Sequence, residues 1–358
     1  MEIKKEISEI SWQVPEKVYR EDPAISYSTI STYETLGFNG LDHIFDKKES
    51  TSLVLGSCVD SIITGGMEEF NNRFSVIDVS ITDGGMDVVN QLLSMKLPYA
   101  EFDQIPEMVV SNAAKEVGFW KADKWDKKRY GEVLKTGNIG DFYNASYNSD
   151  KTMVTTKMYE DVQACVKVLR ESTSTANYFA EDDIFSPIKR YYQLKFKAKF
   201  DGVTYRNMAD ELIVDYEHKI VYPVDLKTSS TPEWDFEESF IKWHYYIQAV
   251  LYWNIIRANM DADPYFKDFE LRNYRFIVVN PRTLTPLVWE FPLTKVVGTF
   301  VDDNGTEWRS PFELGKELKQ YLDLRPAVPN GIVKDGINVI KCLRSKTDED
   351  LKTKQQND

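Results

Sequence analysis

The chain has 358 residues, 42% hydrophobic and 28% charged, which is the composition of a folded protein and not of a disordered one. Its net charge of −13 excludes a protein that coats nucleic acid through bulk positive charge, but leaves room for a local basic groove. Three cysteines, Cys58, Cys165 and Cys342, are too few for a disulfide framework or for the four thiolates of an iron–sulfur cluster. Three histidines, His43, His218 and His244, leave little for a zinc site or a Ser-His-Asp triad. Neither a phosphate-binding G-x-x-x-x-G-K-[ST] loop nor a G-x-G-x-x-G fingerprint occurs. Any chemistry must come from carboxylates and lysines. No apolar run approaches the ~20 residues of a membrane span. The opening MEIKKEISEI lacks the apolar core of a signal peptide, so a cytoplasmic protein is expected.

In chain order, residues 1–50 form a polar N-terminal segment with Ser/Thr-rich stretches such as YSTISTYE. TSLVLGSCVDSIIT, 51–64, reads as a short, nearly all-apolar helix, capped by Thr51 or Ser52 and stopped by Gly65-Gly66. Residues 67–150 read as a helical insertion, with a lysine-rich stretch, FWKADKWDKKRYGEVLK, whose interleaved acids suggest a solvated helix face. The pattern over 153–172 predicts an amphipathic helix with Met158, Val162, Cys165, Val166 and Leu169 on one side. Strands follow over about 190–228, then a helix over about 237–258, then strand candidates RNYRFIVVN and TPLVWEF. A helix at 311–323 and a weaker element at 332–343 precede a polar tail, 344–358, expected to be disordered.

The central strands place polar residues in a row. QLKFKAKF, 193–200, alternates strictly, with Gln193, Lys195, Lys197 and Lys199 on one face. Asp201-Gly202 is a two-residue hairpin signal, which sets Gln193 opposite Asp210. A loop centred on Glu217-His218 then sets Asp210 opposite Asp225, with Lys227 two residues on along the same face. Facing carboxylates repel, so this pair calls for a cation. With only oxygen ligands on offer, Mg²⁺ or Mn²⁺ suits it. Lys227 could orient a water or stabilise charge developing on a phosphoryl group. The alternative reading is a solvated sheet face with scattered charges. The lysine row could follow a DNA backbone, or serve only as solubilising charge on an edge strand.

At these residues the chain resembles the PD-(D/E)XK nuclease superfamily. ADELIVDYEHKIVYPVDLKTSS carries an acidic residue on one strand, Asp210, and a D-x-K, Asp225-Leu226-Lys227, on the next. YYIQAVLYW resembles the Gln-x-x-x-Tyr helix of RecB-like and RecE-like exonucleases through Gln248 and Tyr252, with Tyr245 on the same helical face. VLGSCVDSII resembles that group's Gly-x-x-x-His helix, with Gly56 matching and Asp60 in the histidine's place, and YSTISTYE its early Ser-rich segment. The layout is most similar to the RecE, or exodeoxyribonuclease VIII, branch. Gln193 stands where those enzymes often carry an acid.

The resemblance implies a restriction-endonuclease-like α/β domain over 51–343, a mixed sheet flanked by helices with 67–150 inserted. It implies a Mg²⁺- or Mn²⁺-dependent DNA exonuclease acting on duplex ends in recombination or replication. One or two ions would be held by Asp60, Asp210, Asp225 and the Leu226 carbonyl, with Lys227 catalytic. Gln193, Tyr245, Gln248, Tyr252 and the three lysines would support the site or face DNA. It further implies phage origin, a host-cytoplasmic location, a strand-annealing partner and a homo-oligomer. The rival readings are an endonuclease or nickase with the same site, and a non-catalytic DNA-binding subunit.

Overall fold

The computed structural model describes residues 5–41, 44–45, 50–183, 185–292, 299–301 and 305–324, with the backbone of 333–334 and 337–338. The tail 344–358 and Cys342 lie outside the described residues.

Alternating apolar residues and two tight turns build the centre of the molecule. Ile188–Phe200 (β3), Val203–Asp215 (β4) and Ile220–Thr228 (β5) form an antiparallel meander. Asp201 and Gly202 both take left-handed backbone, φ 48° and 85°, as a two-residue hairpin turn of type I′ requires. Tyr274–Val279 (β7) pairs parallel to β5, and Leu287–Phe291 (β8) pairs antiparallel to β7. The order β3-β4-β5-β7-β8, with the short Glu270–Leu271 (β6) beside β5, makes a mixed sheet. It is flanked by helices, as the resemblance implied. Val333–Lys334 and Ile337–Asn338 pair antiparallel within the predicted weaker element.

Each face of the sheet carries a core. On one, Phe276 and Val278 join Tyr27–Leu36 (α2), Tyr245–Asp261 (α10) and Pro311–Leu324 (α11). On the other, Ile277 and Val279 join Thr51–Arg73 (α3) and Thr156–Glu171 (α8). This second core continues into the helices of the insertion, Asp83–Ser94 (α4), Glu107–Glu116 (α5), Arg129–Leu134 (α6) and Ile139–Tyr147 (α7). The buried face of α8 is the predicted set, Met158, Val162, Cys165, Val166 and Leu169.

Four local expectations need correction. The helix at 51–64 continues to Arg73 through a kink at Gly66, and its cap is Ser50, whose hydroxyl accepts from the Leu53 N–H. The helix predicted over 237–258 is two, Phe236–Lys242 (α9) and α10, parted by His244 in left-handed backbone. The insertion is not all helix: Phe74–Ile77 (β1) pairs in parallel with Thr152–Thr155 (β2).

The fourth correction concerns β3. On its first-core face Tyr191 is followed by Leu194, three residues on where a regular pleat would give two or four. The extra residue is Gln193, at φ 55°. On β4 the same step separates Ala209 from Leu212, with Asp210 between them. Beyond the step Lys195, Lys197 and Lys199 alternate with Leu194, Phe196, Ala198 and Phe200 of the first core, so they lie on the other face. Asp225 and Lys227 oppose Phe276 and Val278 on the first-core face. The lysine row therefore does not share a face with Asp225 and Lys227. Lys197 is already engaged there, 2.6 Å from Asp22 and 4.5 Å above the Trp12 ring.

Candidate active site

The two turns fix the registers, and both are the expected ones. Tyr192 pairs with Glu211 and Leu194 with Ala209, which brackets Gln193 against Asp210. Glu211 pairs with Val224 at the end of the β4–β5 ladder, which sets Asp210 against Asp225 one step further, where the two strands part. The Leu226 N–H turns into this gap and donates to Asp210 Oδ2 at 3.1 Å.

Asp225 is fully buried. Its Oδ1 accepts from the Gln248 amide and lies 3.5 Å from the Tyr274 hydroxyl. Among the described residues its Oδ2 has no hydrogen-bond partner and forms an ion pair with the Lys227 ammonium. Burial alone would lower the Lys227 pKa, but the Asp225 carboxylate, the Tyr245 phenol and the Asp210 carboxylate outweigh it and raise it, which favours the charged ammonium. The same ammonium stands 4.9 Å above the Tyr245 ring.

Asp60 comes from the opposite side. α3 approaches β5 closely at Gly56, where a Cβ would come 2.9 Å from Thr228 Oγ1. One turn on, Asp60 faces the gap between the strands and accepts from the Gln193 amide at 3.1 and 3.3 Å. Burial, with the Asp225 charge, pushes Asp60 up to about 6 against the opposing pull of Arg73 and Gln193. Asp210 is raised well above the ordinary carboxylate range by burial and then by the charges of Asp225 and Asp60. Asp60, Asp210, Glu211, Thr64 and Leu226 line a cavity of about 10 Å³, room for one water-sized occupant. A larger hollow of about 460 Å³, lined by Val168, Glu171 and Leu284, holds none of the candidate residues.

Several residues here escaped the sequence reading. Tyr274 closes over Asp225 from β7. Tyr27 sits beside Tyr245, with ring centroids 6.3 Å apart. Glu211 is buried, and burial raises it to about 8 against the opposing pull of Arg190 and the Tyr192 hydroxyl. An uninterrupted acid pair, Asp210-Glu211, in an apolar strand was the available signal for the last. Gln248 and Tyr252 are buried under the site, so they support it and do not face solvent. His218 is a turn residue paired with Asp215, as read.

A divalent cation suits these donors chemically. They are hard oxygens around a small cavity, the Asp60 and Asp210 carboxyls raised chiefly by burial and then by neighbouring carboxylate charge, and Asp225 Oδ2 has capacity to spare. As placed, however, no three His, Cys, Asp or Glu side chains among the described residues gather around one point. Asp60 is turned to Gln193, and Lys227 supplies the positive charge at Asp225.

No protein family described from sequence matches the chain, and no curated protein matches it. Among solved structures, the crystal structure of a "Putative exonuclease" from Eubacterium rectale aligns over 95% of this chain and 98% of its own, at 13% identity and a TM-score of 0.45. Among the described residues no helix is long and apolar enough to cross a membrane.

Proposed function

We propose that the chain is a metal-dependent deoxyribonuclease that hydrolyses phosphodiester bonds from duplex ends, in the service of recombination or replication. The observation that carries this reading is the Leu226 N–H donated to Asp210 just past the end of the β4–β5 ladder, which sets Asp210 beside Asp225-Leu226-Lys227, with Asp60 brought in from α3.

Asp210, Asp225 and Asp60 would hold Mg²⁺ or Mn²⁺, which when bound polarises the phosphoryl oxygen and lowers the pKa of water. Gln248 and Tyr274 hold Asp225 in one orientation, and the Leu226 N–H does the same for Asp210. Lys227, tethered to Asp225 and held toward its charged form, orients the attacking water and stabilises negative charge developing on the phosphoryl oxygens.

End-labelled linear duplex, incubated with and without Mg²⁺ beside a covalently closed circle, tests this. Mg²⁺-dependent release of label from the linear duplex, with the circle untouched, is expected. Asp210→Ala, Asp225→Ala and Lys227→Ala should each lose on the order of 10²–10³ in rate while remaining folded. Cutting of the circle would replace the exonuclease reading by an endonuclease one. Near-wild-type cleavage by Lys227→Ala would overturn the mechanism.

A further inference from the structure

Trp243 is the residue between α9 and α10, and its indole is half exposed, at 51%. An exposed aromatic is ordinary on a protein surface. This one differs in how firmly its backbone is held. The Trp243 carbonyl accepts from the Tyr27 hydroxyl at 2.7 Å and from the Ser31 hydroxyl at 3.3 Å, both on α2. Its N–H donates to the Ser239 carbonyl at 3.0 Å, and the next residue, His244, is fixed in left-handed backbone at φ 55°. The break between the two helices is what presents the ring to solvent.

The backbone at Trp243 also adjoins the candidate site. Tyr245, two residues on, carries the Lys227 ammonium 4.9 Å above its ring, and Tyr27, which grips the Trp243 carbonyl, packs against Tyr245. Lys242 places a second ammonium 4.7 Å from the Trp243 ring centroid. An exposed aromatic ring on a firmly held backbone, a cation over it and the phosphate-directed lysine reached through Tyr27 and Tyr245 are the parts of a single-strand nucleic-acid subsite.

We infer that Trp243 is a stacking platform for one unpaired nucleobase of the DNA strand whose phosphate reaches Lys227, with Lys242 attending the neighbouring phosphate. This rests on the nuclease reading and adds a substrate class to it: the strand end must be single-stranded or frayed before it is cut. A base stacked on its duplex neighbours cannot also lie on the indole, so blunt, G·C-rich ends are poor substrates and short 3′ or 5′ single-stranded extensions good ones.

Binding separates this inference from the cleavage reading. Oligo-dT is titrated into wild type, Trp243→Ala and Trp243→Phe in EDTA, following tryptophan fluorescence and, independently, the anisotropy of a labelled oligonucleotide. Wild type should bind with quenching. Trp243→Ala should bind about 5- to 150-fold more weakly, the range for losing one base–aromatic stack. Trp243→Phe should retain much of the affinity and lose most of the quenching. With Mg²⁺ present, Trp243→Ala should raise KM on single-stranded and frayed ends far more than it lowers kcat. Equal affinity of wild type and Trp243→Ala, or no oligo-dT binding by wild type, overturns the platform and leaves the nuclease reading to be decided by cleavage. Binding that depends on Trp243 without metal-dependent cleavage keeps the platform and ends the nuclease reading.

Discussion

Three neighbouring carboxyls, Asp60, Asp210 and Glu211, are all raised, in each case chiefly by burial. A raised acid binds its proton more tightly in the folded than in the unfolded chain. Its contribution to stability is therefore full below the ordinary carboxylate pKa of about 4 and is lost as pH climbs through the folded value. For Asp60 that loss runs from about pH 4 to about 6, and for Glu211 from its ordinary range to about 8. The rise of Asp60 to about 6 corresponds to roughly 2–3 kcal/mol. Metal-free wild type should lose melting temperature relative to Asp60→Asn between about pH 4 and about 6, and relative to Glu211→Gln from the ordinary carboxylate range up to about pH 8. Mg²⁺ at pH 8 should restore it in wild type by mass action. Parallel pH–Tm curves for wild type and both variants would show that these acids are not strained. Glu211 was not singled out from the sequence because a strand residue's face is known only once the pleat is, and the step at Gln193 and Asp210 changes the pleat there.

Helix α3 and strand β5 meet with little room to spare, and they do so where the site is assembled. A Cβ on Gly56 would come 2.9 Å from Thr228 Oγ1, one residue past Lys227. Two effects oppose each other in Gly56→Ala. Helix propensity favours alanine by about 1 kcal/mol, and overpacking against the strand costs about 1–3 kcal/mol. The net should be a modest loss of stability and a larger loss of activity, because α3 also carries Asp60. Thr228→Ala in the same chain should recover most of both, and a double-mutant cycle measures the coupling. Additive effects would mean that helix and strand do not meet at this point. The same two elements show how far the sequence could be read. Turn chemistry at Asp201-Gly202 and a four-residue loop at Tyr216–Lys219 decide the registers locally, so the opposition of Asp210 and Asp225 was legible. The step at Gln193 was not, because no turn or glycine there calls for left-handed backbone, and what accompanies it is a contact distant in sequence, the Gln193 amide on Asp60. The break at Trp243-His244 was hidden in the same way: the apolar pattern runs straight through it, and the hydroxyls that fix it come from α2. The parallel pairing of β1 with β2 joins two four-residue strands far apart in the chain, with no turn between them to signal it.

At the scale of the whole molecule, the question is whether 67–150 is an independent unit set into the domain or part of its core. The second core runs unbroken from Val88, Val89, Val110 and Phe142 in the insertion, through Val59 and Ile62 of α3 and Val162 and Leu169 of α8, to Ile213, Val224, Ile277 and Val279 of the sheet. α3 and α8 therefore pack between the sheet and the insertion, and the strand pair β1–β2 ties the two ends of the insertion together. Removing the insertion would expose the outer apolar sides of both helices, including the one that carries Asp60. Burial of apolar surface is the dominant favourable term in folding, so neither piece should be stable alone. Calorimetry of the intact metal-free chain should show one transition, with calorimetric and van't Hoff enthalpies in agreement. A chain in which residues 79–150 are replaced by a short Gly/Ser linker should lose that cooperative transition and bind a hydrophobic dye. Two resolved transitions in the intact chain, or a sharp melt in the shortened one, would show instead that the sheet, with Asp210, Asp225 and Lys227 on it, folds without the insertion. In that case Asp60 would depend on the remaining contacts of α3 with β5, and its carboxyl would fall back toward the ordinary range as its surroundings opened to water.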